Sequence, residues 1–179
     1  MPKRAFRIAF GHSADHALDY LLGMLADTRV TTLQRVEQLT AAELHWQYQP
    51  GWNTVGALLA HLAANEHYFR IVFVGGRPLT AAENERWLPA LDLGGYLPQL
   101  ITHQPIEHYV ALLAESRQQM LAALQGLTFV DFTRRLAAYD PETGADLAWV
   151  LYHLVEDEIY HRGQISLLLK LYQAAQPPA

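Results

Sequence analysis

The sequence contains no cysteine, which excludes disulfides, thiolate metal ligands, iron-sulfur clusters and a cysteine nucleophile. Any thiol chemistry needs a thiol brought from outside. Charge is sparse as well: 17% of residues are Asp, Glu, Lys or Arg, with a formal net charge of −5 and a pI near 5.9. Apart from Lys3, Arg4 and Arg7 the basic residues are scattered. No nucleic-acid partner is expected, because that binding needs a Lys/Arg surface to neutralise phosphates. No apolar run of roughly 18 residues or more marks a membrane span, and no basic stretch with an apolar core and cleavage site marks secretion. A cytoplasmic protein is the expectation.

What is present points to one helical domain over residues 1–179, long enough to bury a sizeable core and 51% apolar. Four stretches carry apolar residues at spacings of three and four. The first runs from about Ser13, a plausible N-cap, to Leu39, with Leu18, Leu22, Leu25 and Val36 on its stripe. The second follows Asn53 and stops at Gly75-Gly76 and Pro78, with Leu58, Leu62, Phe69 and Val72 inward. The third opens with Pro105 at the first helical position and closes at Gly126 as a left-handed cap. The fourth spans about Thr143 to Ala174. Thr40-Ala41-Ala42-Glu43 and Thr80-Ala81-Ala82-Glu83 both have capping-box form, so each is expected to open a short helical turn. The connection from Gly75 to Gln104 is too long for a simple bundle turn and is expected to line or cover a cavity mouth. The fold class predicted is all-α, a four-helix bundle with long connections containing short helical turns.

The fourth stretch breaks its own pattern. Its inward positions read Leu147, Val150, Leu154, Asp157, His161, Gln164, Leu168 and Leu171, so three successive members of an aliphatic seam are polar. Burying a carboxylate without a partner costs several kcal/mol. Asp157 and His161 lie only about 40° apart around a helix and can bind one ion from the same face. An Asp-x-x-x-His pair also occurs as an ordinary intrahelical ion pair. A third ligand must come from another helix, and His61, one turn before Asn65, is the main candidate.

His153 precedes Asp157 by one turn and extends the row, although it stands beside the seam. His67, after Glu66, falls on the outer face of the second helix. His12, His16, His45, His103 and His108 fall near helix ends or in connections, where surface or capping roles fit. Arg29 and Arg117 fall on apolar stripes, where they would bind an anionic substrate or neutralise buried carboxylates. Arg162 points off the seam toward solvent or an interface, and Gly163 would let another backbone approach closely.

Two segments resemble the DinB/YfiT-like superfamily of metal-dependent proteins. Trp52-Asn53-Thr54-Val55-Gly56-Ala57-Leu58-Leu59-Ala60-His61-Leu62 looks like that family's lead-in to a first histidine ligand. His153 to Ile165, containing Asp157-Glu158-Ile159-Tyr160-His161-Arg162-Gly163-Gln164, resembles its His-x-x-x-His-x-Gly-Gln signature. The resemblance implies a metal held by His61, Asp157 and His161, with Asp157 where a histidine is usual. A carboxylate there suits zinc and is favourable for harder ions such as manganese or iron; nickel is a further candidate. Related mycothiol-dependent isomerases resemble this His, carboxylate, His set. Asn65, His153, Gln164, Arg29 and Arg117 are the candidates for supporting or substrate-binding roles.

Three protein ligands leave a coordination position open, as in a reactive rather than a structural site. The leading reading is a metal-dependent enzyme that activates water or a low-molecular-weight thiol and acts on a small molecule; the resemblance implies that its chemistry is of S-transferase, isomerase or hydrolase type. The alternative is a non-catalytic metal-binding or stress-response interaction protein. The resemblance and the apolar helix surface also imply a homodimer. A ferritin-like di-metal bundle needs two Glu-x-x-His motifs, and only Glu158-Ile159-Tyr160-His161 fits. The zincin motif is absent.

Overall fold

Of the 179 residues, the computed structural model describes 16–134, 136 and 145–177. Eight α-helices form, with no strand among the described residues: α1 (His16–Val36), α2 (Ala41–His45), α3 (Val55–Phe69), α4 (Ala81–Asp92), α5 (Leu97–Leu100), α6 (Ile106–Leu124), α7 (Phe129–Phe132) and α8 (Leu147–Ala175). The four long helices α1, α3, α6 and α8 are those the periodicity predicts. Ser13, His12 and Thr143 lie outside the described residues. The fourth helix takes its N-cap from Asp146, whose carboxylate accepts from the Trp149 amide at 2.8 Å.

Both capping boxes form, with Thr40 and Thr80 accepting from the amides of Glu43 and Glu83 while each glutamate reaches back to its cap. The second opens more than a turn: α4 has 12 residues and admits Pro89. A third box, Thr128 with Asp131, opens α7. Pro105 is the N-cap of α6 rather than its first helical residue, and Gly126 ends it at φ +80°. At its far end α3 widens into a π-turn over Arg70–Val74.

The buried apolar residues form two main clusters. One contains Val36, Leu58, Leu62, Tyr109, Leu113, Ile165 and Leu168; the other contains Leu18, Leu25, Phe69, Met120, Leu124, Leu151 and Leu154. Between them every long helix contributes a polar residue: Arg29, Glu66, Arg117 and Glu158. The chain order through these layers gives the topology. The first and last long helices run from the second cluster to the first, whereas α3 and α6 run the other way. Helices α3 and α6 pack along each other and are therefore parallel, which demands a crossover the length of the bundle. That is the physical reason for the long connection from Gly75 to Gln104. Helix α4 within it packs on α3 and buries Trp87 and Ala90 there.

Candidate metal centre

The central layer holds a closed ring of ion pairs. Arg29 donates to Glu158 at 2.9 Å and to Glu66 at 3.0 Å; Arg117 bonds Glu66 and reaches Glu158 at 3.3 Å. Ser116 adds a bond to Glu66 at 2.9 Å. The remaining guanidinium donors are met by the carbonyls of Leu113 and Leu25, each at 2.6 Å. Two cations and two anions thus cancel with every guanidinium nitrogen hydrogen-bonded, which is the condition for tolerating buried charge. Burial alone would raise the Glu66 carboxyl, but Arg117 and Arg29 outweigh it and hold it below its ordinary range. Of the two roles open to Arg29 and Arg117, the structure places them in the neutralising one.

One residue along the chain from the two glutamates stand Asn65 and Asp157, joined by a 2.9 Å bond from the Asn65 amide to Asp157 Oδ2. With Glu66 and Glu158 sharing the ring, these neighbours on α3 and α8 face each other. Around them gather His61 and His161. Donor atoms of His61, Asp157 and His161 all lie within 4.8 Å of one another, and the two imidazoles meet edge to face at 4.8 Å between ring centres.

Each candidate ligand is oriented from outside. His61 Nδ1 is 2.7 Å from the Ala90 carbonyl; a carbonyl only accepts, so Nδ1 carries the proton and Nε2 presents its lone pair inward. That lone pair accepts from Asn65 Nδ2 at 3.0 Å. His161 Nδ1 lies 2.9 Å from Gln164 Oε1 and its Nε2 3.2 Å from Asp157 Oδ1. Burial lowers the His61 pKa and prevails over its bond to Ala90. Burial also acts to lower that of His161, yet the hydrogen bond and charge of Asp157, with Gln164, raise it overall. Asp157 is held below its ordinary value, since His161 and Asn65 outweigh the desolvation that would raise it. Burial thus biases His61 toward the neutral imidazole, while Asp157 biases His161 toward the imidazolium.

Two inward-facing imidazole nitrogens with fixed outer hydrogen bonds, and a carboxylate between them, fit a divalent ion of the zinc class. The connection from Gly75 to Gln104 reaches this centre through Ala90, so it orients a histidine. His153 is not brought in: it stacks on Trp149 at 4.9 Å and pairs with Glu156 at 3.2 Å. His67 packs on Trp87 at 4.5 Å. Arg162 is tied to α1 through Thr31 and the Thr28 carbonyl. Among the described residues no other part of the chain lies within 4 Å of where a Gly163 side chain would begin.

Glu66, Glu158 and the Ala90 carbonyl were not foreseen. Arginines on two inner stripes were a signal that two carboxylates must answer them, and Glu158 fits the seam as well as Asp157 does, four residues after Leu154 instead of three. A backbone carbonyl from α4 leaves no mark in the sequence.

The family model of the DinB superfamily matches residues 24–165. Among solved structures the fold is similar to YfiT from Bacillus subtilis, described as a probable metal-dependent hydrolase with an unusual four-helix bundle topology. The two share 25% sequence identity and a TM-score of 0.62, over 87% of this chain and 88% of that one. No curated protein matches the sequence.

Proposed function

Because the chain belongs to the DinB superfamily, we propose that it is a metal-dependent enzyme of hydrolase type, with His61, Asp157 and His161 holding one divalent ion. The observation that carries this reading is the convergence of those three side chains, each already oriented by Ala90, Asn65 or Gln164. When bound, such an ion supplies Lewis acidity toward a carbonyl and a lowered pKa for a nucleophile. The protein's own part is to hold His61 in the tautomer that offers Nε2, to keep Asp157 ionised, and to hold the Nδ1–H of His161 in a hydrogen bond to Gln164. These hydrogen bonds also fix the rings against rotation. Zinc suits the donor set best, with manganese, iron and nickel as the other ions to test.

S-transfer from a low-molecular-weight thiol is the neighbouring chemistry for the same site. A different reading, a protein without turnover, is favoured by one observation: Asn65 Nδ2 bonds both His61 Nε2 and Asp157 Oδ2, atoms an ion would need. Calorimetric titration of protein made without a histidine tag separates the two, followed by assay of esters, amides and thiol-plus-electrophile pairs. Stoichiometric zinc binding with turnover lost in His61→Ala is the expected result. Absence of binding by every divalent ion tested would remove the enzyme reading.

A further inference from the structure

Behind His161 lies a groove of about 370 Å³, walled by Trp52, Leu58, Leu167 and Leu168 and carrying two carboxamides, Asn53 and Gln164. This volume is within the range of small-molecule sites. Its apolar walls include two exposed residues, Trp52 at 43% and Leu167 at 51%. Trp52 is not loose: Tyr48 meets its ring edge-on at 4.9 Å, and the Gln47 amide bonds its carbonyl at 2.7 Å.

Gln164 links this groove to the metal centre. Its Oε1 accepts a hydrogen bond from His161 Nδ1, and that bond fixes which way the amide faces. Nε2, a pure donor, is therefore left over with no protein partner among the described residues. Among the described residues no Lys, Arg, Asp or Glu lines the groove. A charged ligand would lose hydration there without gaining a counter-charge, whereas an uncharged acceptor meets a fixed N–H.

We propose that the groove binds the uncharged part of the substrate, a small aryl or alkyl group bearing a carbonyl acceptor, such as an amide or ester. The carbonyl oxygen accepts from Gln164 Nε2 while the apolar group lies between Trp52 and Leu167. As a site for a part of the substrate remote from the reacting bond it rests on the function proposed above, but binding in the groove does not itself require the ion.

The test titrates benzamide, benzoate and benzylammonium, close in shape and different in charge, into metal-free and zinc-loaded protein, read by calorimetry and tryptophan emission. Benzamide is expected to bind at least tenfold more tightly than either ion. Its binding should be lost in Leu167→Lys and Trp52→Ala, and weakened in Gln164→Glu, which keeps an acceptor for His161 and removes the donor. Circular dichroism and zinc titration of the Leu167→Lys protein check that fold and centre persist. Equal affinity for benzoate, or a benzamide signal unchanged in all three variants, would overturn the proposal. Benzamide binding in protein that takes no zinc would leave the groove standing and remove the metal reading; zinc binding with no benzamide binding would do the reverse.

Discussion

Asn65 on α3 and Asp157 on α8 are joined across the bundle by a 2.9 Å hydrogen bond, each one residue from a glutamate of the buried ring. The ring and the metal centre are thus two consecutive layers of the same pair of helices.

Substituting Asn65 tests how far the centre depends on this bond. In Asn65→Ala the carboxylate loses its donor from α3, so its orientation is no longer held. Zinc affinity should fall roughly 10- to 100-fold, the range found when a ligand's hydrogen-bonding partner is removed. Competition with a chromogenic chelator measures it, and unchanged affinity would show that His161 alone orients Asp157.

Asp157 itself distinguishes ligand from remnant. Asp157→His should keep a zinc-dependent rise in melting temperature, because imidazole also coordinates zinc. Asp157→Leu should abolish the rise, since only ion binding to the native state provides it. In chelator the Leu variant should be less stable than the parent, because Asn65 and His161 each lose their bond to the carboxylate.

The ring predicts an asymmetry between breaking and replacing. Arg117→Met alone leaves Glu66 and Glu158 short of a cation and should cost about 3–5 kcal/mol in urea unfolding. Exchanging all four members for apolar residues of similar size should restore most of that loss. Recovery of stability without recovery of zinc affinity would identify the ring as the device that sets helix register.

Acid should act through Glu66. Its carboxyl is held below the ordinary 4.5 in the folded state, so the unfolded chain takes up the proton first. The stabilisation is complete above about pH 4.5 and is lost as pH falls through the lower folded value. Unfolding free energy should therefore decline below that pH in the parent. The decline should be shallower in the all-apolar ring variant; identical slopes would place the acid sensitivity elsewhere.

Zinc affinity should also fall on mild acidification. The folded His161 pKa lies above its ordinary 6.5, so as pH falls a proton on Nε2 competes with the ion more readily than at a free imidazole. Titrations from pH 8 down to 6 should show weakening, and a flat profile would mean that His161 is not a ligand.

The sequence by itself determined the four long helices and both predicted capping boxes, and it singled out His61, Asp157 and His161 as candidates, because each leaves a local mark. Apolar spacing follows from the helix period, a capping box from four adjacent residues, and a polar break in an aliphatic seam from the cost of burying charge. Tertiary structure decided what depends on residues far apart in the chain. Steps of three and four cannot say whether Asp157 or Glu158 faces inward; packing against Arg29 and Arg117 buried Glu158 most deeply and left Asp157 at the flank, opposite Asn65. The carbonyl of Ala90 came to His61 only because parallel α3 and α6 force a crossover that lays α4 along α3. The groove beside Gln164 arose where the α2–α3 connection meets α8, a juxtaposition set by long-range packing and invisible to any local pattern.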